Sequence, residues 1–272
     1  MGKYEPIKEP IRASVRKFVK YIMTGLKALL IATPLLAEET EERLTVFAAS
    51  SLTDVLSAQA KAWASATGQQ APRLSFGASA TMARQIEAGA PAHLFISANA
   101  NWTTLLVAAD RANQPVDLVK NRLVLVVNEQ HAVAAEFTPT LAGFQALIRN
   151  RRLVLADPTS APVGQYAKSF LMAAGLWDAL RNQLAYAANA RQALRLTERA
   201  GLPAFVYESD AAASKRIKII YRVPEAQTSP ILYQAVVIRK APTVASNFLA
   251  FLLSKEASAL WQDHGFLTIA SN

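Results

Sequence analysis

From residue 44 onward, short apolar runs alternate with segments of helical period, and this limits the fold more than any other feature of the chain. LTVFAA reads as a buried strand, and Leu52, Val55, Leu56 and Trp63 then recur at helical spacing. PRLSFG precedes a helix TMARQIEAG that stops at Gly89, and HLFISAN precedes a helical NWTTLLVAADRA. LVLVVN, RRLVLADP, PAFVYES, IKIIYRV and ILYQAVVIR read as further strands. GQYAKSFLMAAG, ARQALRLTERAG and DAAASK read as helices, and VASNFLAFLLSKEASALWQDHG as one long amphipathic C-terminal helix. Strands that alternate with helices build βαβ units and mostly parallel sheets, so the expected class is α/β. No repeat, low-complexity stretch or long linker marks a tandem pair of domains.

The first 37 residues do not read as part of that fold. Lys3, Lys8, Arg12, Arg16, Lys17, Lys20 and Lys27 stand against only Glu5 and Glu9, and the apolar ALLIATPLLA follows. A basic region, an apolar run too short to span a bilayer and a small residue before a polar start describe a secretory signal. Leu35 fits poorly three positions before a cut after Ala37, and Met23 is a second candidate start. Without this leader the formal net charge of +9 falls to about +4, with Lys and Arg scattered rather than striped. That excludes a nucleic-acid binder. The absence of cysteine excludes disulfides, thiolate metal sites, a cysteine nucleophile and a lipoprotein anchor.

Five strand-to-helix junctions share one design. Ser51 precedes Leu52-Thr53-Asp54, as an N-cap with an acidic residue three on would. Ser79 follows Phe76-Gly77-Ala78, Val163 and Gly164 follow the loop from Asp157 to Pro162, Asn189 and Ala190 open a fourth helix, and Tyr207 ends a strand before Ser209-Asp210. Helix N-termini collect unpaired N–H groups and the positive end of the dipole. Gly and Ala there let an anion reach the backbone, and Ser or Tyr hydroxyls add donors. In open α/β sheets that edge is where ligands bind. Taken singly, each serine reads as a cap.

The stretches FAASSLTD, SFGASATMARQIEAGAPAHLFISANANW, NRLVLV, ADPTSAPVGQYAK and FVYESDAAAS resemble the periplasmic molybdate-binding proteins of ABC importers, in order and spacing, from about residue 44 to 266. The resemblance implies a two-lobed class II periplasmic binding fold, each lobe a mostly parallel sheet flanked by helices. It implies residues 1–37 as signal peptide, 38–122 with 230–272 as one lobe and 123–229 as the other. Position by position, it implies Ser51, Ser79 and Tyr207 as side-chain ligands and Val163 and Ala190 as backbone ligands of a tetrahedral dianion, molybdate or tungstate, with no metal-ion ligand and no cofactor. Ser50 is Ser51's helper or a mere neighbour. The partners it implies are a membrane permease and its ATPase, met by a monomer in the periplasm. Two family carboxylates are replaced, by His93 and by Asn99, which puts affinity and anion preference in question.

Other readings weigh less. A binder of sulfate or another tetrahedral oxyanion is the main alternative. A regulatory effector-binding domain lacks its helix-turn-helix, and a hydrolase lacks the GxSxG elbow, since FGASA has no second glycine. His93, His131 and His264 have no metal-ligand spacing and read as surface or capping residues. Arg84 and Arg191, in first turns, read as solvated faces, and Tyr166 and Trp177 as helix packing.

Overall fold

The structure, a computed structural model, describes residues 43–131 and 137–269, with Gly2 ahead of them. The leader read over residues 1–37 otherwise lies outside the described residues. Among these, the strands are β1 Thr45–Ala49, β2 Arg73–Gly77, β3 Leu94–Ser97, β4 Val116–Asn121, β5 Leu123–Asn128, β6 Leu153–Ala156, β7 Leu184–Ala187, β8 Ala204–Tyr207, β9 Ile217–Arg222, β10 Ile231–Val237 and β11 Leu267–Thr268. The helices are α1 Thr53–Thr67, α2 Ser79–Glu87, α3 Ala100–Ala108, α4 Leu141–Ile148, α5 Pro162–Ala173, α6 Trp177–Leu180, α7 Ala190–Ala200, α8 Glu208–Ala212, α9 Thr243–Leu252 and α10 Lys255–Asp263.

They form two sheets, ordered β11-β4-β10-β3-β1-β2 and β7-β6-β8-β5-β9. The α/β class holds, but each sheet is mixed rather than mostly parallel. In the first, β1 runs parallel to β2 and β3, while β10 is antiparallel to β3 and β4. In the second, β6 is parallel to β7 and β8, while β5 is antiparallel to β8 and β9. The cause is the chain path. Only Arg122 separates β4 from β5, so the chain leaves one sheet and enters the other with no helix to turn it round. The return from β9 to β10 passes through a single 3-10 turn, Glu225–Gln227, with no α-helix.

The first sheet is apolar through Val46, Leu94, Phe95 and Val236, all fully buried. Helix α1 closes over it through Trp63, whose ring meets Phe248 of α9 edge-on at 5.3 Å. Full burial of such a side chain contributes about 2–3 kcal/mol. Around the second sheet Phe170 meets Phe205 at 5.7 Å, with Phe144 beside them. The C-terminal segment is not one long helix: Ser254 interrupts it and accepts the Ala257 N–H at 3.1 Å as the cap of α10. Its apolar spacing continues across the break, which is why periodicity alone reads a single helix.

Candidate functional site

Both sheets aim the C-terminal ends of their parallel strands at one cleft. From the first sheet come Ala49 at the end of β1 with Ser50 and Ser51 after it, Gly77 at the end of β2 with Ala78 after it, and Ala98 after β3. From the second come Ala161, Pro162 and Val163 at the start of α5, Asn189 and Ala190 at the start of α7, and Tyr207 at the end of β8. The cleft lining holds no Lys, Arg, Asp or Glu. Of the five residues singled out from sequence, Ser51, Val163, Ala190 and Tyr207 line the cleft. Ser79 sits one residue behind Ala78, fully buried, and its Oγ accepts the Ala98 N–H at 3.2 Å.

The serines are not caps. Ser51 lies within a 3-10 turn, Ser50–Leu52, that runs into α1, and the capping position Leu52 has no side-chain bond. The Ser51 hydroxyl instead meets the Tyr233 hydroxyl of β10 at 2.7 Å. Asn121, the last residue of β4, donates to Tyr233 at 3.4 Å and to Ser209 Oγ at 2.8 Å. Tyr233 thus ties the Ser51 hydroxyl, at the edge of the cleft, to Asn121 of β4. No spacing rule could have found Tyr233, which lies 182 residues from Ser51 in the chain.

Across the cleft the donors are backbone. Val163 is the second residue of α5 and Ala190 the first of α7, so neither N–H has a partner within its helix. Asn189 is a true cap, accepting the Gln192 N–H at 3.0 Å. The loop before α5 is shaped by Asp157, whose Oδ1 accepts both the Thr159 N–H at 2.9 Å and its hydroxyl at 2.8 Å. Gly164 then lets α5 press against the end of β6: a Cβ there would stand 1.9 Å from the Ala156 carbonyl oxygen. Tyr207 completes this side. It is 1% exposed and its hydroxyl has no hydrogen-bond partner. Burial above all, with Tyr233, Tyr166 and Asp210 nearby, raises its pKa well above the usual phenol value, so it stays a donor.

Some expectations need correction. Arg191 is not a solvated helix face: its side chain is 15% exposed, 2.7 Å from Asp54 and 3.1 Å from the fully buried Asp210. Arg84 is exposed as read, but it lies in the last turn of α2 rather than the first, its guanidinium 5.7 Å from the Trp102 ring centre. His93 is neither a surface nor a capping residue; it is buried, and its Nδ1 accepts the Thr45 N–H at 3.1 Å. Asn99 caps α3 by accepting the Asn101 N–H at 2.8 Å, so it keeps the capping role a carboxylate could fill. Tyr166 packs as read, 6% exposed, and its hydroxyl donates to the Ala98 and Pro230 carbonyls, each at 3.4 Å. Among the described residues no cluster of His, Cys, Asp or Glu is placed to hold a metal ion.

Two mixed sheets joined by crossings that hold no α-helix, with a charge-free cleft of helix N-termini between them, define a two-lobed solute-binding fold. A family model described as "Bacterial extracellular solute-binding protein" matches residues 44–267, and the chain belongs to that family. It is 36% identical over 257 residues to the molybdate-binding protein ModA of Escherichia coli, across 92% of this chain and 98% of the relative. It is 34% identical over 243 residues to ModA of Haemophilus influenzae, across 88% and 95%. The periplasmic molybdate-binding protein of Azotobacter vinelandii shares the fold, with a TM-score of 0.74 at 23% identity over 84% of this chain and 100% of that one.

Proposed function

We propose that the protein captures molybdate, and tungstate with it, as a bare tetrahedral dianion in the periplasm and delivers it to the permease and ATPase of an ABC importer. It acts as a monomer whose export is directed by residues 1–37. One lobe comprises residues 38–122 and 230–272, the other 123–229. Ser51 and Ser79 of the first lobe and Val163, Ala190 and Tyr207 of the second donate to the anion's oxygens. The observation that carries this reading is the Tyr207 hydroxyl, buried without a partner at a cleft lined by two helix N-termini. A buried donor left unpaired costs about 1–3 kcal/mol, and an oxyanion removes that cost. The likeness to the two ModA proteins supports molybdate as the anion.

The lining also favours a fully ionised ligand. A protonated anion such as hydrogen phosphate brings a donor where the cleft offers donors, at a cost of about 1–3 kcal/mol. Sulfate is the alternative, because it is equally bare at neutral pH and differs in size alone. Thermal unfolding of residues 38–272 with molybdate, tungstate, sulfate and phosphate at matched ionic strength separates these. Ligand at about a thousand times its Kd adds roughly 4 kcal/mol to stability. A rise in Tm with molybdate and tungstate alone supports the proposal. A rise with sulfate alone replaces the substrate, and no rise with any of them sinks it.

A further inference from the structure

Arg191 occupies a position that the helix dipole disfavours. It is the second residue of α7, beside the N–H groups that face the cleft, where positive charge is destabilising. Two carboxylates offset this, and they come from different sides. Asp210, on α8 of the second sheet's side, lies 3.1 Å from Nε. Asp54, in the first turn of α1 on the first sheet's side, lies 2.7 Å from Nη2. The same Nη2 is 3.5 Å from the carbonyl oxygen of Ser51, whose hydroxyl side belongs to the cleft.

Asp210 shares a side with Arg191, so their contact survives any movement of one side against the other. The contacts with Asp54 and Ser51 do not, because they cross the cleft. Neutral contacts cross it as well, from Ala80 N–H to the Ser160 carbonyl at 3.2 Å and from Asn99 to Gln165 at 3.4 Å. The arginine contact is charged, and it is anchored next to Ala190 on one side and on Ser51 on the other.

From this arrangement we infer that Arg191 is a positioning residue, a clasp that holds the two sides shut over the anion by reaching across to Asp54 and the Ser51 carbonyl while taking no part in binding the anion itself. The inference rests on the two-lobed capture proposed above. It accounts for a cation that lies beside an anion site without entering it: both of its charge partners pull it away from the lining.

Stopped-flow measurement of anion release from the wild type and from Asp54→Asn tests the clasp. The clasp acts after the anion has entered, so dissociation should be roughly 3- to 10-fold faster in the variant, with association and the order of anion preference little changed. Added salt should speed release from the wild type towards the variant's rate and leave the variant nearly unaffected. Asp54→Glu should recover part of the loss. A purely structural role for Asp54 would change none of the salt dependence. Equal dissociation rates in wild type and Asp54→Asn overturn the clasp. If the wild type binds none of the four anions, the proposed function fails, and small-angle scattering at low salt then judges the clasp alone. A larger radius of gyration in ligand-free Asp54→Asn than in wild type supports it, and equal radii overturn it.

Discussion

The two sides of the cleft are built differently. On the first sheet's side, the hydroxyls are already engaged: Ser51 with Tyr233, and Ser79 with the Ala98 N–H. On the second sheet's side, the groups are waiting: the first-turn N–H groups of Val163 and Ala190, and the Tyr207 hydroxyl with no partner. One side is wired into the protein and the other lacks partners until something fills the cleft. An engaged group is positioned before the ligand arrives, at the cost of doubling as structure. A waiting group lowers the stability of the empty protein, and the ligand restores it. Substitutions on the two sides should therefore separate binding from folding in different ways.

The largest break is expected at Gly164. Its missing Cβ is what allows the start of α5, with the Val163 N–H, to sit against the Ala156 carbonyl. Gly164→Ala must push the helix away from backbone that cannot yield, and overpacking of this kind costs about 1–3 kcal/mol or more. Isothermal titration with molybdate should show affinity lowered by at least ~100-fold in a protein that still folds with a reduced Tm. Retained affinity would show that the waiting side does not depend on this close approach.

The charge beneath the waiting side is next. Asp210 is fully buried, and desolvation raises its pKa from 3.8 to about 6, with Arg191 opposing that rise. Below about pH 4 the carboxyl is protonated whether the chain is folded or not. Between about 4 and 6 it ionises in the unfolded chain and not in the folded one, so stability falls as pH rises through that window and levels off above it. Two pH units correspond to about 3 kcal/mol. Asp210→Asn lacks this group, so the stability gap between variant and wild type, measured by urea unfolding, should move in the variant's favour by up to that amount from pH 4 to 6.5. A gap that stays flat across the window would mean that Asp210 titrates normally.

Two tyrosines sharpen the comparison directly. Tyr207→Phe removes a hydroxyl without a partner, so the ligand-free protein should be as stable as the wild type or slightly more so, while molybdate binding weakens by about 1–2 kcal/mol. Tyr233→Phe removes the partner of Ser51 and of Asn121, so it should lower ligand-free stability by about 1 kcal/mol and weaken binding as well. Thermal unfolding and titration of both variants give the four numbers. If Tyr207→Phe loses stability in the empty protein while Tyr233→Phe does not, the assignment of waiting and wired sides is reversed.

The waiting side was the more legible of the two in the sequence, and the reason is physical. Helix N-termini are local features: a strand end, small residues and a helix start lie within a few positions, so Val163, Ala190 and Tyr207 can be placed at an edge without knowing the tertiary fold. The wired side depends on contacts between distant residues. Ser51 reads locally as a cap, and only the arrival of β10 beside it reveals Tyr233 as its partner. Arg191 reads as a solvated face until α1 and α8 bring Asp54 and Asp210 to it. Among strands, β4, β7 and the two-residue β11 escaped notice; β7, Leu-Ala-Tyr-Ala, has no β-branched residue and holds an edge position. The mixed strand order was hidden for a related reason: a one-residue junction such as Arg122 has no turn or breaker signature to mark a change of sheet.

His93 should change binding least. It lies just ahead of β3, whereas the cleft begins after the far end of that strand at Ala98. Five residues of extended chain span roughly 16 Å, so the imidazole is far out of contact range of the cleft. Its ring accepts the Thr45 N–H on a neighbouring strand, which is a contact of the wired side's foundation rather than of its donors. His93→Ala should therefore lower Tm through the loss of a buried acceptor worth about 1 kcal/mol, while molybdate affinity stays within about twofold of wild type. Asn99, by contrast, caps α3 directly after Ala98 and reaches Gln165 across the cleft. If titration shows His93→Ala weakening the anion more than Asn99→Ala does, the distance along β3 does not insulate the site, and the first sheet would have to transmit strain from one end of its strands to the other.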